Sequence, residues 1–303
     1  MKRIFSRRLI ALKRLWAIAL MLILGFSTLA YYYLETKNHS PIEVNVCLHL
    51  SDYNDKTISI FDDLRVKWVR TDWIITPDSS MGDYSQALQN NNIGLLAILD
   101  INTFNHKAFT LKEWNETITE IVVSDGFNNT DAVEIWNEPN ALAYVDPDTY
   151  FEMLKSAYSI IKNYTVLDVV FSGVSPNVGN WKEYLTTIFA HVDVINYFDI
   201  MGVHLYDDSS INYETLEFVE SLTVKPIWVT EIGKPSSCDG GKSQVNYLNS
   251  IYENIAPLVN KVFLYELTDN FGLLPEKENH FGLLTINGTK KEVYFRVWEI
   301  SRY

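Results

Sequence analysis

The nonapeptide AVEIWNEPN, residues 132–140, joins a short apolar run to a cluster of polar side chains. An apolar run of about four to eight residues beside turn-forming residues is typical of a strand buried on both faces, as in a parallel sheet. Runs of the same kind recur about every 31 residues along the chain. We therefore predict eight buried strands, at Val44–Leu50, Lys67–Thr71, Gly94–Leu99, Ala132–Trp136, Asp168–Ser172, Asp199–His204, Pro226–Thr230 and Lys261–Tyr265.

The segments between these runs show the apolar periodicity of amphipathic helices. Tyr150–Tyr164 is the clearest, with Asp148 as its predicted N-cap, and Ser243–Ile255 and Val293–Ile300 follow the same pattern. Eight alternations of strand and helix predict an α/β fold, a (β/α)8 TIM barrel over residues 42–303. A doubly wound open sheet is the alternative, but no Gly-rich phosphate loop follows any run.

The first 41 residues differ in composition from the rest of the chain. Residues 1–14 are basic, residues 15–34 carry no charge, and residues 35–41 form a short polar linker. Twenty apolar residues in a helix span about 30 Å, the thickness of the hydrocarbon core. We predict a cytoplasmic tail and a single transmembrane signal-anchor, with the barrel outside the cell membrane. The alternative is a cleaved signal peptide with Thr28 and Ala30 at its cleavage site, which makes the protein secreted.

The charge distribution bears on possible partners. The chain carries a net charge of −13, and its first 34 residues contribute +6, so the remainder carries −19. An acidic domain of this kind repels nucleic acid, which we exclude as a partner, and favours an uncharged substrate.

Two further features fit an exterior location. Cys47 and Cys238 are the two cysteines, and they either form a disulfide or remain as two buried thiols. N-glycosylation sequons occur at Asn38, Asn115, Asn128, Asn163 and Asn287.

Barrel enzymes place their reactive groups at the carboxyl ends of the strands. Two glutamates directly follow apolar runs, Glu138 after the fourth run and Glu231 after the seventh. A purely structural strand rarely ends in this way, so both are candidate catalytic residues. The ends of the second, fourth, sixth and eighth runs add the candidate binding or orienting residues Arg70, Trp73, Trp136, Asn137, His204, Tyr206, Tyr265 and Glu266.

These motifs resemble clan A glycoside hydrolases over nearly all of residues 42–303. Trp136-Asn137-Glu138-Pro139 is similar to the acid/base motif of that clan, and Thr230-Glu231 is similar to its nucleophile motif on strand seven. Arg70 and the pair His204 and Tyr206 also match the pattern. The closing segments resemble families 39 and 5, namely Tyr265-Glu266-Leu267, Phe281-Gly282-Leu283, Asn287-Gly288-Thr289 and Tyr294. The clan usually has Trp at the end of strand eight, and Tyr265 stands here instead, which puts the identity of the sugar in doubt.

The resemblance implies a retaining hydrolase that cleaves O-glycosidic bonds of a poly- or oligosaccharide. Glu138 then donates a proton to the leaving oxygen while the ionised Glu231 attacks the anomeric carbon, which needs about 5–5.5 Å between the carboxyl groups. Arg70 favours the charged form of Glu231, Tyr206 orients it, and Asn137 holds the sugar 2-hydroxyl.

The remaining candidates have both a binding and a structural interpretation. Trp73, Trp136 and Tyr265 either stack on the substrate or fill the core, and His204 and Tyr206 either line the site or are structural. Further candidate sugar contacts are Asp72, Asp100, Asn102 and Glu266, with His49 the weakest. The carboxylate pairs Asp207-Asp208 and Asp146-Pro147-Asp148 lack a converging histidine, so we predict no metal and no cofactor.

Three alternative functions remain open. The first is a transglycosylase that uses the same site. The second is a membrane-anchored, metal-dependent glycosyltransferase in which Asp146 and Asp148 bind the metal and nucleotide sugar. The third is a non-catalytic carbohydrate-binding barrel, although such a protein normally loses one of the two glutamates.

Overall fold

The computed structural model describes residues 43–74, 81–141, 143–206, 209–236, 241–272 and 276–302. The predicted tail, membrane span and linker, together with Asp207, Asp208 and Cys238, lie outside the described residues. Within the described part, residues 43–301 form one compact unit.

Eight parallel strands form a closed barrel in which each strand pairs with the next and the last pairs with the first. The predicted (β/α)8 architecture is therefore confirmed. The strands are β1 (Val44–Cys47), β2 (Val66–Asp72), β3 (Gly94–Leu99), β4 (Ala132–Ile135), β5 (Asp168–Phe171), β6 (Ile200–Leu205), β7 (Ile227–Ile232) and β8 (Lys261–Leu264).

The strand ends differ from the predicted ones at two places that matter for the site. β1 ends at Cys47, and a 3-10 turn at Leu50–Asp52 follows it, so His49 lies in a loop. β7 continues to Ile232, so Glu231 lies inside the strand and not after it. Its pairing with β6 shifts register between Val203 and His204, which brings His204 opposite Glu231.

Each strand is followed by one α-helix within the described residues. The helices are α1 (Thr57–Leu64), α2 (Met81–Asn90), α3 (Leu111–Val122), α4 (Pro147–Tyr164), α5 (Trp181–Phe189), α6 (Ser209–Leu222), α7 (Lys242–Ser250) and α8 (Glu292–Ile300). The helix predicted at Ser243–Ile255 leaves α geometry after Ser250 and continues as a π turn at Ile251–Ile255.

The N-cap of helix α4 lies two residues before the predicted one. Asp146 has an extended backbone, and its side chain accepts a hydrogen bond from the Thr149 N–H at 3.0 Å. Pro147 occupies the first helical position, where a missing N–H has no cost and the fixed φ suits the helix. The prediction of Asp148 as the cap is therefore wrong, because Pro147 is the first helical residue and Asp146 directly before it is the cap.

The barrel interior is filled by side chains from most of the strands. One buried cluster consists of Cys47, Leu96, Ala132, Val170, Ile200, Trp228 and Phe263. Because this layer closes the interior below the carboxyl ends of the strands, polar groups gather above it. The Cys47 thiol is buried and donates to the Thr230 carbonyl at 3.4 Å. Whether Cys47 pairs with Cys238 stays a prediction.

Among the described residues no helix is both long enough and apolar enough to span a membrane.

Candidate active site

Glu138 and Glu231 face each other across the mouth of the barrel. A side-chain oxygen of each glutamate and a ring nitrogen of His204 all lie within 4.8 Å of one another. Glu138 is held by the turn after β4 and Glu231 by the end of β7, three strands further around the ring. A separation of this size agrees with the roughly 5–5.5 Å between carboxyl groups that direct nucleophilic attack on a sugar requires.

Glu231 lies in a pocket of hydrogen-bond donors. Arg70 Nη1 donates to its Oε1 at 2.7 Å, and the Tyr206 hydroxyl donates to its Oε2. Burial by itself raises the pKa of Glu231, but the charges of His204 and Arg70 and the bonds from Tyr206 and Arg70 outweigh burial. The pKa of Glu231 is therefore below its ordinary value, and the carboxylate is ionised near neutral pH.

Glu138 is the more accessible of the two carboxyl groups. Its side chain is 24% exposed, against 8% for Glu231. The turn that carries it has positive φ angles at Trp136 (74°) and Glu138 (44°), a region that side chains other than glycine seldom occupy. Strain of this kind costs of the order of 1–3 kcal/mol per residue and tends to occur at functional sites. The Glu138 N–H donates to the Gly173 carbonyl at 3.1 Å, which fixes the turn against the loop after β5.

His204 connects the two glutamates. Its Nδ1 lies 2.9 Å from Glu138 Oε1 and 3.4 Å from Glu231 Oε2. Burial lowers the pKa of His204, but the charge of Glu231 and the hydrogen bond and charge of Glu138 outweigh it, so the pKa is raised. The two acids thus favour the protonated form of His204.

The other ring nitrogen of His204 has a close backbone neighbour. Nε2 is buried and has no hydrogen-bond partner among the described residues. A Cβ at Gly173 would lie 2.4 Å from Nε2, so a residue without a side chain is required beside the imidazole.

Arg70 is the centre of a buried ion network. Besides Glu231, its Nε donates to Glu134 Oε2 at 2.6 Å and its Nη2 donates to Asn137 Oδ1 at 2.9 Å. The two bonds on the Nη atoms place the predicted residues Arg70, Asn137 and Glu231 in one cluster. Removing one partner from such a buried pair typically costs about 3–5 kcal/mol.

Glu134 is a site residue that the sequence interpretation missed. It is fully buried in β4 and also accepts bonds from the Gly173 N–H at 3.1 Å and the Thr230 hydroxyl at 3.3 Å. A carboxylate in the middle of a buried apolar run was the available signal, because an ion there needs partners. The apolar character of Ala132–Trp136 concealed it.

The three candidate stacking aromatics have different environments. Trp73 and Trp136 are 5% and 2% exposed, so neither offers a free face to a sugar. Trp73 packs edge-on against Phe127, and Trp136 packs against Phe109 and donates to the Ala143 carbonyl. The stacking interpretation is wrong for these two rings, which the fold uses as packing. Tyr265 is half-buried and makes edge-to-face contacts with His49, Tyr206 and Phe281.

Glu266 belongs to a polar group on the rim formed by β8 and β1. Glu266 lies 3.1 Å from His49 Nε2 and accepts both bonds from Asn270 Nδ2, at 2.7 and 2.9 Å. Burial lowers the pKa of His49, but the hydrogen bond and charge of Glu266 outweigh it and raise the pKa to about 9. His49, the weakest sugar-contact candidate, therefore carries a positive charge at neutral pH.

Asp72, Asp100 and Asn102 form a second polar group, beyond β2 and β3. Asn102 Nδ2 donates to Asp72 at 3.2 Å and to Asp100 at 3.3 Å. Burial and the neighbouring Asp72 charge raise the pKa of Asp100 to about 7. One of these two acids is thus able to carry a proton at neutral pH and to donate a hydrogen bond.

The grouping of Glu138, His204 and Glu231 has a composition that could hold a metal ion. The donors already present argue for another use. Arg70 and Tyr206 donate hydrogen bonds to the two carboxylate oxygens of Glu231. The buried guanidinium of Arg70, 2.7 Å from this carboxylate, repels a cation. The Asp146-Pro147-Asp148 triplet caps helix α4, and Asp148 pairs with His191 at 2.9 Å, which accounts for both carboxylates structurally.

A family model described as the glycosyl hydrolase catalytic core matches residues 48–263. No curated protein sequence matches the chain.

Solved structures with the same fold include several glycosidases. One is a family 39 glycoside hydrolase from the gut symbiont Bacteroides cellulosilyticus WH2, at 19% identity and a TM-score of 0.68 over 87% of this chain and 64% of the other. A GH2 β-galacturonidase from Eisenbergiella tayi, bound to galacturonate, matches at 15% identity and a TM-score of 0.63, over 86% of this chain and 51% of the other. A family 1 β-glucosidase from Thermotoga maritima matches at 12% identity and a TM-score of 0.60, over 87% of this chain and 97% of the other. The chain thus spans just under two thirds of the first structure and about half of the second, and at these identities the likeness establishes the fold.

Proposed function

Because the chain belongs to the glycosyl hydrolase catalytic core family, we propose that it is a retaining glycoside hydrolase with Glu138 as acid/base and Glu231 as nucleophile. The substrate is an O-linked poly- or oligosaccharide. The observation that carries this proposal is the approach of the two carboxyl groups to within 4.8 Å, with a different environment around each.

The two environments suit two different roles. The donors around Glu231 keep it ionised, as a nucleophile must be, while the greater exposure of Glu138 gives it access to a leaving group and later to water. In the first step Glu231 attacks the anomeric carbon, and the glycosidic C–O bond breaks as Glu138 transfers its proton to the leaving oxygen. In the second step Glu138 takes a proton from water, whose oxygen attacks the anomeric carbon and releases Glu231.

A screen of chromogenic glycosides with the two single variants tests the roles. In Glu231→Ala, turnover is lost and added azide partly restores it, giving a glycosyl azide of inverted configuration. In Glu138→Ala, hydrolysis of substrates with poor leaving groups falls about 10²–10⁴-fold and activated substrates lose least. There azide gives a product of retained configuration.

Glu116→Ala is the matched control, since Glu116 is exposed on α3 and pairs with Lys112. It is expected to match the unmodified protein. Normal turnover in both active-site variants, or hydrolysis with inversion in the unmodified protein, contradicts the assignment.

We also propose that residues 15–34 anchor the protein in a membrane with the barrel outside. The uncharged run and its basic flank support this proposal. Among the sequons on described residues, Asn128, Asn163 and Asn287 are exposed and suit N-glycosylation. Asn115 is half-buried with its side-chain oxygen enclosed, which makes it a poor acceptor.

A further inference from the structure

Three aromatic rings pack against one another beside Glu231. Tyr206 and Tyr265 follow β6 and β8, and Phe281 belongs to the segment that leads from β8 to α8. The ring centroids of Tyr206 and Phe281 lie 5.7 Å apart, and Tyr265 lies 5.5 Å from Phe281 and 6.0 Å from Tyr206. All three contacts are edge-to-face, a geometry that stabilises aromatic pairs beyond the area that they bury.

The backbone around Phe281 is held in place by hydrogen bonds to side chains. Gln244 Nε2 donates to the Phe281 carbonyl at 2.9 Å. The Gly282 N–H donates to Asp269 Oδ1 at 2.8 Å, and Lys291 pairs with the same oxygen at 2.8 Å. A Cβ at Gly282 would lie 2.2 Å from the Asp269 nitrogen, so this close approach requires a residue without a side chain. The ring of Phe281 is therefore carried by a well-fixed segment.

Phe281 packs against the protein and not against the opening of the barrel. It is 5% exposed, so its ring offers no surface to a substrate. A Cβ at Gly233, two residues after Glu231, would lie 3.0 Å from Phe281 Cδ1. The ring thus lies between Tyr206 on one side and the backbone just after β7 on the other.

The orientation of the Tyr206 ring decides one of the hydrogen bonds that Glu231 accepts. The hydroxyl lies at the far end of the ring, so a small rotation of the side chain takes it out of hydrogen-bond geometry. Tyr206 directly follows the last residue of β6, and the rings packed against it limit that rotation. Because a hydrogen bond to a carboxylate favours its charged form, a fixed Tyr206 ring supports the ionised state of Glu231.

We propose that Phe281 is a positioning residue of the active site, whose ring holds Tyr206 so that the hydroxyl stays on Glu231. This proposal rests on the proposed function, because it gives Phe281 a part in the reaction of Glu231. Phe281 acts through Tyr206, so its effect on the reaction depends on the Tyr206 hydroxyl.

The test measures kcat and the pH profile of kcat/KM with the full chain and an activated glycoside from the chromogenic screen. Phe281→Leu keeps an apolar side chain and removes the ring. Loss of the ring contact with Tyr206 predicts a fall in kcat of about 3- to 10-fold. The weaker bond from Tyr206 raises the pKa of Glu231, so the acid limb moves to higher pH. If circular dichroism shows that Phe281→Leu does not fold, Phe281→Met carries the same test.

A double-mutant cycle with Tyr206→Phe separates positioning from a general structural role. In the Tyr206→Phe background no hydroxyl remains to be positioned. Adding Phe281→Leu there moves the acid limb no further and changes kcat by less than about twofold. Phe198→Leu is the matched control, because Phe198 is fully buried, packs edge-on against Phe171 and precedes β6, at the opposite end of the barrel from Glu231. It is expected to lower stability and to leave the acid limb in place.

Two results overturn the proposal: an acid limb that stays in place in Phe281→Leu, or one that moves as far in the Tyr206→Phe background as in the unmodified protein. If no glycoside is cleaved, the proposed function fails separately, and positioning is tested without turnover. The pKa of Glu231 is then measured by NMR of glutamate labelled at its carboxyl carbon, with Glu231→Gln to assign the signal. A pKa that rises in Phe281→Leu and not in Phe198→Leu supports the proposal, and an unchanged pKa refutes it.

Discussion

Glu231 and Glu138 share one histidine but differ in their other partners. Arg70 and Tyr206 hold the first in its ionised form, while the second extends from a strained turn toward solvent. The division of the two proposed roles thus comes from neighbours contributed by β2 and the end of β6, since the two residues are chemically the same.

Tyr206→Phe tests the control of Glu231 by its donors. The Tyr206 bond lowers the pKa of Glu231, so its removal raises that pKa. A nucleophile is lost when pH falls below its pKa, so the acid limb of kcat/KM moves to higher pH in the variant. A hydrogen bond to a charged group is worth about 1.5–3 kcal/mol, so kcat is expected to fall about 10- to 100-fold.

The measurement is a pH profile of both proteins on one activated glycoside. Tyr213→Phe removes a hydroxyl that bonds the Asn254 carbonyl on the outer helices, and serves as the control. An acid limb that stays in place, or moves to lower pH, contradicts the proposed part of Tyr206.

At the scale of elements, the N-cap of helix α4 contributes to stability and has no part in the proposed reaction. Asp146→Ala removes the bond to the Thr149 N–H and is expected to destabilise the fold by about 1 kcal/mol without changing kcat. The hydrogen bond from Thr149 lowers the pKa of Asp146, so its contribution is present above the ordinary carboxyl pKa and is lost as pH falls. Urea unfolding at pH 7 and pH 3 measures this difference.

Asp146→Asn is the matched control, because asparagine is an equally good N-cap. It should retain stability at both pH values. If the protein is instead the metal-dependent glycosyltransferase, both substitutions abolish activity, and removal of the metal by a chelator also abolishes it.

At the scale of the whole molecule, residues 43–301 form one compact unit. A protein of residues 43–303 is expected to fold, remain in solution and hydrolyse a soluble glycoside at the rate of the full chain. The full chain is expected to float with lipid vesicles. Leu24→Arg places a charge at the middle of the proposed membrane span, which costs about 2.5–3.5 kcal/mol. This variant is expected to float with the vesicles less than the unmodified chain.

Flotation of the 43–303 protein, or full-length chain that stays in solution without lipid, contradicts the anchor proposal. A shortened protein that fails to fold shows that the barrel depends on the preceding residues.

The sequence by itself determined the architecture and singled out the two candidate glutamates. Buried parallel strands need continuous apolar runs, so eight runs at a regular spacing were sufficient to predict the barrel, which the structure confirms. The resemblance to glycoside hydrolases is confirmed by the family match over residues 48–263. Glu138 and Glu231 were visible because each carboxylate comes directly after such a run, although their roles stay a proposal.

Only the tertiary structure decided which side chains meet. Glu134 is far in sequence from Arg70 and Thr230, and the barrel brings them together by closing the sheet. Trp73 and Trp136 were ambiguous because an aromatic at a strand end can face either the mouth or the surrounding helices. Periodicity in a chain reports which face of an element is buried, whereas contacts between distant elements depend on closure and register.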